Sequence, residues 1–214
     1  MNFKNSVIAL GMMTTLGACL GGDDGGGLIS GGIINIEGVI ALSERAAEAI
    51  PAVLEELPAT ATMSGLIVVS ADGDETEIIG NMNVIADFDN AVLTGSATNI
   101  GEYEISDDCV LAEDCNIELV QELSGQLDLD GTIDGTDFSG DLTGEISGTF
   151  TDDDIGSGQF TGVVSLTAGG SFGQDDDGLM AVADLEGDVE LELTIDGETV
   201  TETQDLDGTF IVAE

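Results

Sequence analysis

Between Phe138 and Phe150 the chain alternates without a slip. Phe138, Gly140, Leu142, Gly144, Ile146, Gly148 and Phe150 interleave with Ser139, Asp141, Thr143, Glu145, Ser147 and Thr149. A period of two puts every apolar or small residue on one face of a strand and every polar one on the other. A helix would scatter the same residues around its circumference, so the segment is read as a strand with one dry and one wet face. The pattern returns in Ile117, Leu119, Leu123, Gly125, Leu127 and Leu129, and again in Phe160, Gly162, Val164 and Leu166. It is clearest where Leu185, Gly187, Val189, Leu191, Leu193 and Ile195 oppose Asp184, Glu186, Asp188, Glu190 and Glu192. The acidic residues therefore form the outer face of strands.

Nearly every run carries glycine on its apolar face: Gly65, Gly80, Gly95, Gly125, Gly144, Gly162, Gly187 and Gly208. Glycine inside a strand costs about 0.5–1 kcal/mol relative to alanine, so its repeated use implies a geometric need. Strands that curl into a small closed barrel bend at glycines and fill the taper with alternating large and small side chains. Turn signals separate the runs at Asp72-Gly73-Asp74, Asp89-Asn90, Asp152-Asp153-Asp154, Asp175-Asp176-Asp177 and Asp196-Gly197. The Asp-Gly-Thr runs at Asp130, Asp134 and Asp207 are read as turns too, since their order is wrong for the Asp-Thr-Gly loop of aspartic proteases. The expectation is an all-β fold over residues 59–214, a small soluble antiparallel β-barrel of about eight strands. A domain of this length buries about 70% of its unfolded surface, enough for an independent core. The wet faces are acidic and aromatics are few, which excludes the apolar band and aromatic girdles of a membrane-spanning barrel.

Residues 39–58 form a short helical segment ahead of the barrel. Ile40, Ala47, Ile50, Leu54 and Leu57 recur at helical spacing, Ser43 is the expected N-cap, and Pro51 breaks or kinks the helix. An amphipathic helix in this position serves as a plug or packing element.

The beginning of the chain has a different logic. One cation, Lys4, precedes an apolar run from Val7 to Leu16 that is too short to span a bilayer, so residues 1–18 read as a secretory signal. Residues 19–38 begin with LGGDDGGGLISGG after the cysteine, the composition of a flexible tether. Removing the signal takes Lys4 and leaves one cation, Arg45, against 44 acids, a net charge of −43. Such a surface repels phosphates and anionic headgroups, which excludes nucleic acid as a partner. It suits a highly hydrated shell in salty surroundings, where counterions screen the repulsion. The chain has no histidine and no tryptophan, and its one tyrosine is Tyr103. With no constellation of nucleophile, base and orienting group, the expectation is a protein that is not an enzyme.

Cys109 and Cys115 lie in SDDCVLAEDCNIE. Outside the cytoplasm such a local pair forms a disulfide that pins a loop, and a metal site would need two further soft or imidazole ligands. A calcium loop is the other candidate. Counted from Gln126, Asp128, Asp130, Gly131, Asp134 and Asp137 fall at positions three, five, six, nine and twelve of an EF-hand-like segment, with glutamine at position one and aspartate for glutamate at twelve. Because Leu127 and Leu129 alternate as a strand, the competing reading is strand and turn acids, and no other cofactor is expected.

Two resemblances extend this reading. Leu16-Gly17-Ala18-Cys19 resembles the lipobox of bacterial lipoproteins, which implies cleavage ahead of Cys19 and diacylglycerol on its sulfur. Two or three acyl chains anchor durably where one does not. Leu20 at the next position implies, by the sorting rules of that class, the outer membrane. Leu57-Pro58, Ala61-Thr62-Met63-Ser64-Gly65, Ile85-Ala86-Asp87-Phe88-Asp89 with Leu93 to Asn99, Asp137 to Gly144, and Gly169-Gly170-Ser171-Phe172-Gly173 together resemble the β-barrel lobe of the transferrin-binding protein B superfamily. The resemblance covers roughly Leu57 to Val212, departs from the family's Gly-Phe-Tyr-Gly at Phe172, and transfers no ligand residues. It implies a surface or periplasmic lipoprotein whose barrel and loops, including Asp107 to Asn116, bind an iron protein, haem or another ligand beside an outer-membrane receptor. The alternative is an acidic structural or calcium-dependent adhesion module.

Overall fold

A computed structural model of the chain describes residues 28–71, 76–105, 117–152, 156–195 and 198–214. In chain order the elements are β1 (Ile29–Ser30), β2 (Ile33–Ile34), α1 (Ile36–Glu48), β3 (Ile50–Pro51), a 3-10 turn (Leu54–Glu56), β4 (Thr60–Ala71), β5 (Thr76–Asp87), β6 (Val92–Ile105), β7 (Ile117–Glu122), β8 (Ser124–Asp134), β9 (Asp137–Asp152), β10 (Gly156–Asp175), β11 (Gly178–Ile195) and β12 (Glu198–Ala213). Strands β4, β5, β6, β8, β9, β10, β11 and β12 pair antiparallel in that order, and β12 returns to β4, which closes an eight-stranded barrel.

Alternation and closure follow from the same residues. Met63, Met82, Val84, Leu93, Leu142, Leu166, Leu185 and Phe210 are almost wholly buried along the axis. Toward one end the rings of Phe88, Phe138, Phe172 and Phe210 form a chain. Phe88 meets Phe172 edge-on with centroids 4.9 Å apart, Phe138 lies 5.0 Å from Phe172, and Phe138 stacks on Phe210 at 5.9 Å. The interior is thus filled by side chains, as in other small barrels. The inward glycines sit where neighbouring backbones come closest. At Gly187 a side chain would run into the Ser165 carbonyl oxygen and lie 2.9 Å from Leu166 Cα.

Two of the three Asp-Gly-Thr runs are not turns. Asp134-Gly135-Thr136 is the β8–β9 turn, with Gly135 at φ +69°. Asp130 and Asp207 lie inside β8 and β12, because the glycines that follow them serve close strand approach, Gly131 facing Gly140 across the β8–β9 pair. The run from Ile117 to Leu129 is also two strands. Both pair with β6, β7 along Gly101–Ile105 and β8 along Val92–Ala97. Between them Asn99 takes φ +51°, and Leu123 N–H donates to the Ile100 carbonyl at 2.9 Å.

The N-terminal part differs most from expectation. The cap of α1 is Asn35, whose side-chain oxygen accepts from Gly38 N–H at 3.1 Å. Ser43 sits mid-helix and donates to the Val39 carbonyl at 2.9 Å. The helix therefore starts at Ile36 and stops at Glu48, because Ile50 precedes proline and turns extended. Ile50, Leu54 and Leu57 fall outside the helix, and its packed face is Gly38 and Leu42 with Ala46 instead. Residues 28–38 are likewise packed structure and not tether.

The helix serves as a packing element and not as a plug, while the chain after it, with Ala52 and Leu57, packs on the barrel core at one end. β1, β2 and α1 lie as a strap on the outside of the wall. Ile29 packs on Leu66, Ile79 and Tyr103, and Leu42 packs on Met180 and Ala213. The outer wall there is apolar, so the acidic face covers the rest of the barrel.

Candidate binding surface

Asn81 points outward from β5, is 4% exposed and clamps the strap at both backbone groups of one residue. Ile29 N–H donates to Asn81 Oδ1 at 2.9 Å, and Asn81 Nδ2 donates to the Ile29 carbonyl at 2.8 Å. Tyr103 closes the other side, its hydroxyl donating to the Gly32 carbonyl at 3.4 Å. Burial, with Glu122 nearby, pushes this phenol above its ordinary range. The far end of the strap is fixed by Arg45. Its Nε donates to Asp175 Oδ2 at 2.7 Å and its Nη2 to Asp175 Oδ1 at 3.1 Å. Asp175 also accepts from the backbone N–H groups of Asp177 and Gly178, each at 2.9 Å, so one carboxylate organises the β10–β11 turn and holds the helix. The Arg45 hydrogen bond holds Asp175 below the usual carboxylate range and raises Arg45 in return.

The two barrel ends differ. At the first, Ile50 and Pro51 add two residues to the edge of β10 opposite Gln174 and Gly173, and Ala52 N–H donates to the Phe172 carbonyl at 3.1 Å. The chain thus crosses over the aromatic cluster and covers it. A cleft of about 250 Å³ remains between Leu54, Leu57, Phe88, Ala91 and Ile133. A second, of about 430 Å³, opens beside Arg45, Glu48, Ile50 and Asp175 to Asp177.

At the second end the wall is uneven. β12 pairs with β4 only from Leu206, opposite Ala71, to Ala213, whereas it pairs with β11 along its whole length. β8 begins at Ser124 opposite Ser147, and β9 runs on to Asp152. A four-stranded arm, β9-β10-β11-β12, therefore continues past the rim, for roughly 25 Å along β12 at strand rise. On the β9 edge Gln121 Oε1 accepts from Thr149 N–H at 3.0 Å. On the other edge, Glu198 to Asp205 have no strand partner beyond β11 among the described residues. The alternation that runs inward at Leu206, Phe210 and Val212 puts Glu198, Val200 and Glu202 on the arm's inner face, and Val200 is 53% exposed. Phe150, Phe160, Leu191, Leu193 and Ile195 share that face, each partly exposed.

The calcium candidates are spread out. Asp128 and Asp130 alternate on the wet face of β8, while Asp134 and Asp137 face each other at the β8–β9 turn. Six residues of strand put about 20 Å between Asp128 and Asp134. The EF-hand-like loop is therefore a strand and a hairpin, and no group of three or more histidine, cysteine or acidic residues that could hold a metal occurs among the described residues. Cys19, Cys109, Cys115, the signal at 1–18 and the loop from Asp107 to Asn116 lie outside the described residues. No helix among the described residues is long and apolar enough to cross a membrane.

The arm edge and the Asn81 clamp escape sequence reasoning for identifiable reasons. From Glu198 to Asp205 both faces are largely polar, so no alternation marks the strand. The faint signal is Thr199, Thr201 and Thr203, three β-branched residues two apart. Asn81 shows only as a polar residue inside Ile79 to Val84.

No family model, curated protein or solved structure matches this chain.

Proposed function

We propose that this chain is a lipid-anchored, non-catalytic binding protein of the outer membrane, held through Cys19 and presenting an acidic barrel to a ligand outside the wall. The observation that carries the reading is the lipobox Leu16-Gly17-Ala18-Cys19 ahead of a barrel whose axis is filled by Leu, Met and Phe side chains. With the axis filled, ligand contact falls to the outer wall, the rims and the arm. The likeness to the transferrin-binding protein B barrel lobe supports the same role and suggests a protein or iron-bearing ligand passed to a receptor. A disulfide between Cys109 and Cys115 would pin the connection between β6 and β7.

The decisive experiment is mass spectrometry of the protein from a membrane fraction. The expected N-terminal peptide begins at Cys19 and carries diacylglycerol with a further acyl chain, and Cys19→Ala releases the protein from membranes. An unmodified Cys19 in membrane-bound protein overturns the anchor. On the same material, alkylation without reductant leaves Cys109 and Cys115 unlabelled.

A further inference from the structure

We infer that the edge of β12 from Glu198 to Asp205 is a docking site for an extended, basic segment of another protein, which joins the arm as an added β-strand. This deepens the binding role proposed above by naming the class of partner, and it rests on that role only for its setting, since the edge is the same with or without a lipid.

Three observations converge on it. The first is the backbone. Over eight residues β12 keeps an unbroken antiparallel register with β11, Glu198 opposite Ile195 through Asp205 opposite Asp188, while its other side meets no strand among the described residues. Such an edge offers unpaired N–H and C=O groups, and an incoming strand satisfies them by main-chain hydrogen bonding. The second is what the edge lacks. Glu198 to Asp205 contain no proline, lysine or bulge, so the backbone stays open to pairing. The charges that guard the edge are all acidic, Glu198, Glu202 and Asp205, which turn away acidic or neutral strands and leave a basic one admissible. The third is side-chain chemistry. Val200 is half exposed and is flanked on its own face by Glu198 and Glu202, with Leu193 on the neighbouring strand. A strand lying beside it gains most from an apolar residue next to Val200 and a cation two positions to either side. On the opposite face Thr199, Thr201 and Thr203 favour β-branched or hydroxyl neighbours.

Charge decides among occupants. A second copy pairing antiparallel about Val200 would set Glu198 of each chain opposite Glu202 of the other, and like charges directly across a strand pair are unfavourable. A basic strand meets opposite charge at Glu198, Glu202 and Asp205, and the chain's overall negative potential draws it in.

The test uses the whole chain in detergent and a fluorescein-labelled nine-residue peptide of alternating pattern, valine at its centre, lysine two residues to each side and threonine between. Anisotropy is expected to show saturable binding that weakens at least tenfold between 0.05 and 0.5 M NaCl. N-methylation of the alternate amides facing the edge is expected to cost at least tenfold, whereas methylation of the other set costs little. The double substitution Glu198→Lys with Glu202→Lys is expected to reverse the preference toward a peptide with glutamate for lysine, with an unchanged circular dichroism spectrum. That reversal separates a real site from a misfolded variant. The proposal is overturned by absence of saturable binding, by equal affinity of both methylated peptides, or by sedimentation showing a dimer that the double substitution dissolves. None of these outcomes touches the acyl mass on Cys19, so the anchor and the edge stand or fall separately.

Discussion

Arg45 is the one cation in the described residues, and it is spent on holding α1 to the β10–β11 turn. Both side chains are largely covered, 24% and 14% exposed, and the pairing is bidentate. That geometry places it at the upper end of surface ion pairs, about 1 kcal/mol. Asp175 is held below the ordinary carboxylate range chiefly by the Arg45 hydrogen bond. Its contribution is therefore complete above the unfolded value near pH 4 and disappears as pH falls through the depressed folded value. Arg45→Gln is expected to lower the melting temperature at pH 7 by about 2–4 °C. The gap between wild type and variant is expected to shrink below about pH 4. Thermal denaturation of both proteins from pH 7 to pH 2 reads that gap directly, and a gap that is constant across the range refutes the assignment. Taking the difference matters, because protonating the other acids also relieves repulsion across the wall and would mask one pair.

Among the elements, the strands were legible wherever one face is dry and the other wet. Phe138 to Phe150 and Leu185 to Ile195 lie in β9 and β11 with their apolar residues inward over most of that length. Inward glycines were legible as curvature, and the closest approaches bear this out. Gly187 faces the Ser165 carbonyl and Leu166 Cα, whereas Gly169, also on a barrel strand but facing outward, has nothing within 4 Å of the place a Cβ would occupy. Gly187→Ala is expected to cost about 3 kcal/mol, the upper end of overpacking, because the obstruction is backbone and has no rotamer to move. Gly169→Ala is expected to stay within about 0.5 kcal/mol. Urea melts of both variants settle the point, and equal midpoints would mean that curvature does not depend on the inward position. What the sequence did not display were the decisions made by contact at a distance. The start of α1 at Asn35 depends on a strap seated by Asn81, and the break at Leu123 depends on β6 changing partner near Asn99. The polar stretch from Glu198 to Asp205 becomes a strand because β11 offers it a register, and its own pattern gives no such instruction.

For the molecule as a whole, the outer wall sets a high negative charge on a closed, densely packed barrel. The strand register places Asp130 opposite Asp141, Glu186 opposite Asp207 and Asp188 opposite Asp205. Directly opposed side chains are about 5 Å apart at Cβ, and like charges there are destabilising. At 0.05 M salt the screening length exceeds 10 Å and these pairs are felt in full, whereas at 1 M it falls to about 3 Å and they are largely silenced. Closure of the sheet holds Asp130–Asp141 and Glu186–Asp207 at this spacing, and the unbroken β11–β12 register holds Asp188–Asp205 beside the rim, so the repulsion is not relaxed locally. Stability at pH 7 is accordingly expected to rise by about 2 kcal/mol between 0.05 and 1 M NaCl, if each opposed pair contributes its ordinary several tenths. That is equivalent to about 5 °C in melting temperature for a domain of this size. Chloride is the proper salt, because sulfate would strengthen apolar burial as well. Asp188→Lys turns the Asp188–Asp205 opposition into attraction. It is expected to raise the low-salt melting temperature by about 2–4 °C and to flatten the salt dependence, while the 1 M values of the two proteins converge. Scanning calorimetry across the salt series distinguishes this from a general salt effect, because a general effect would move wild type and variant in parallel.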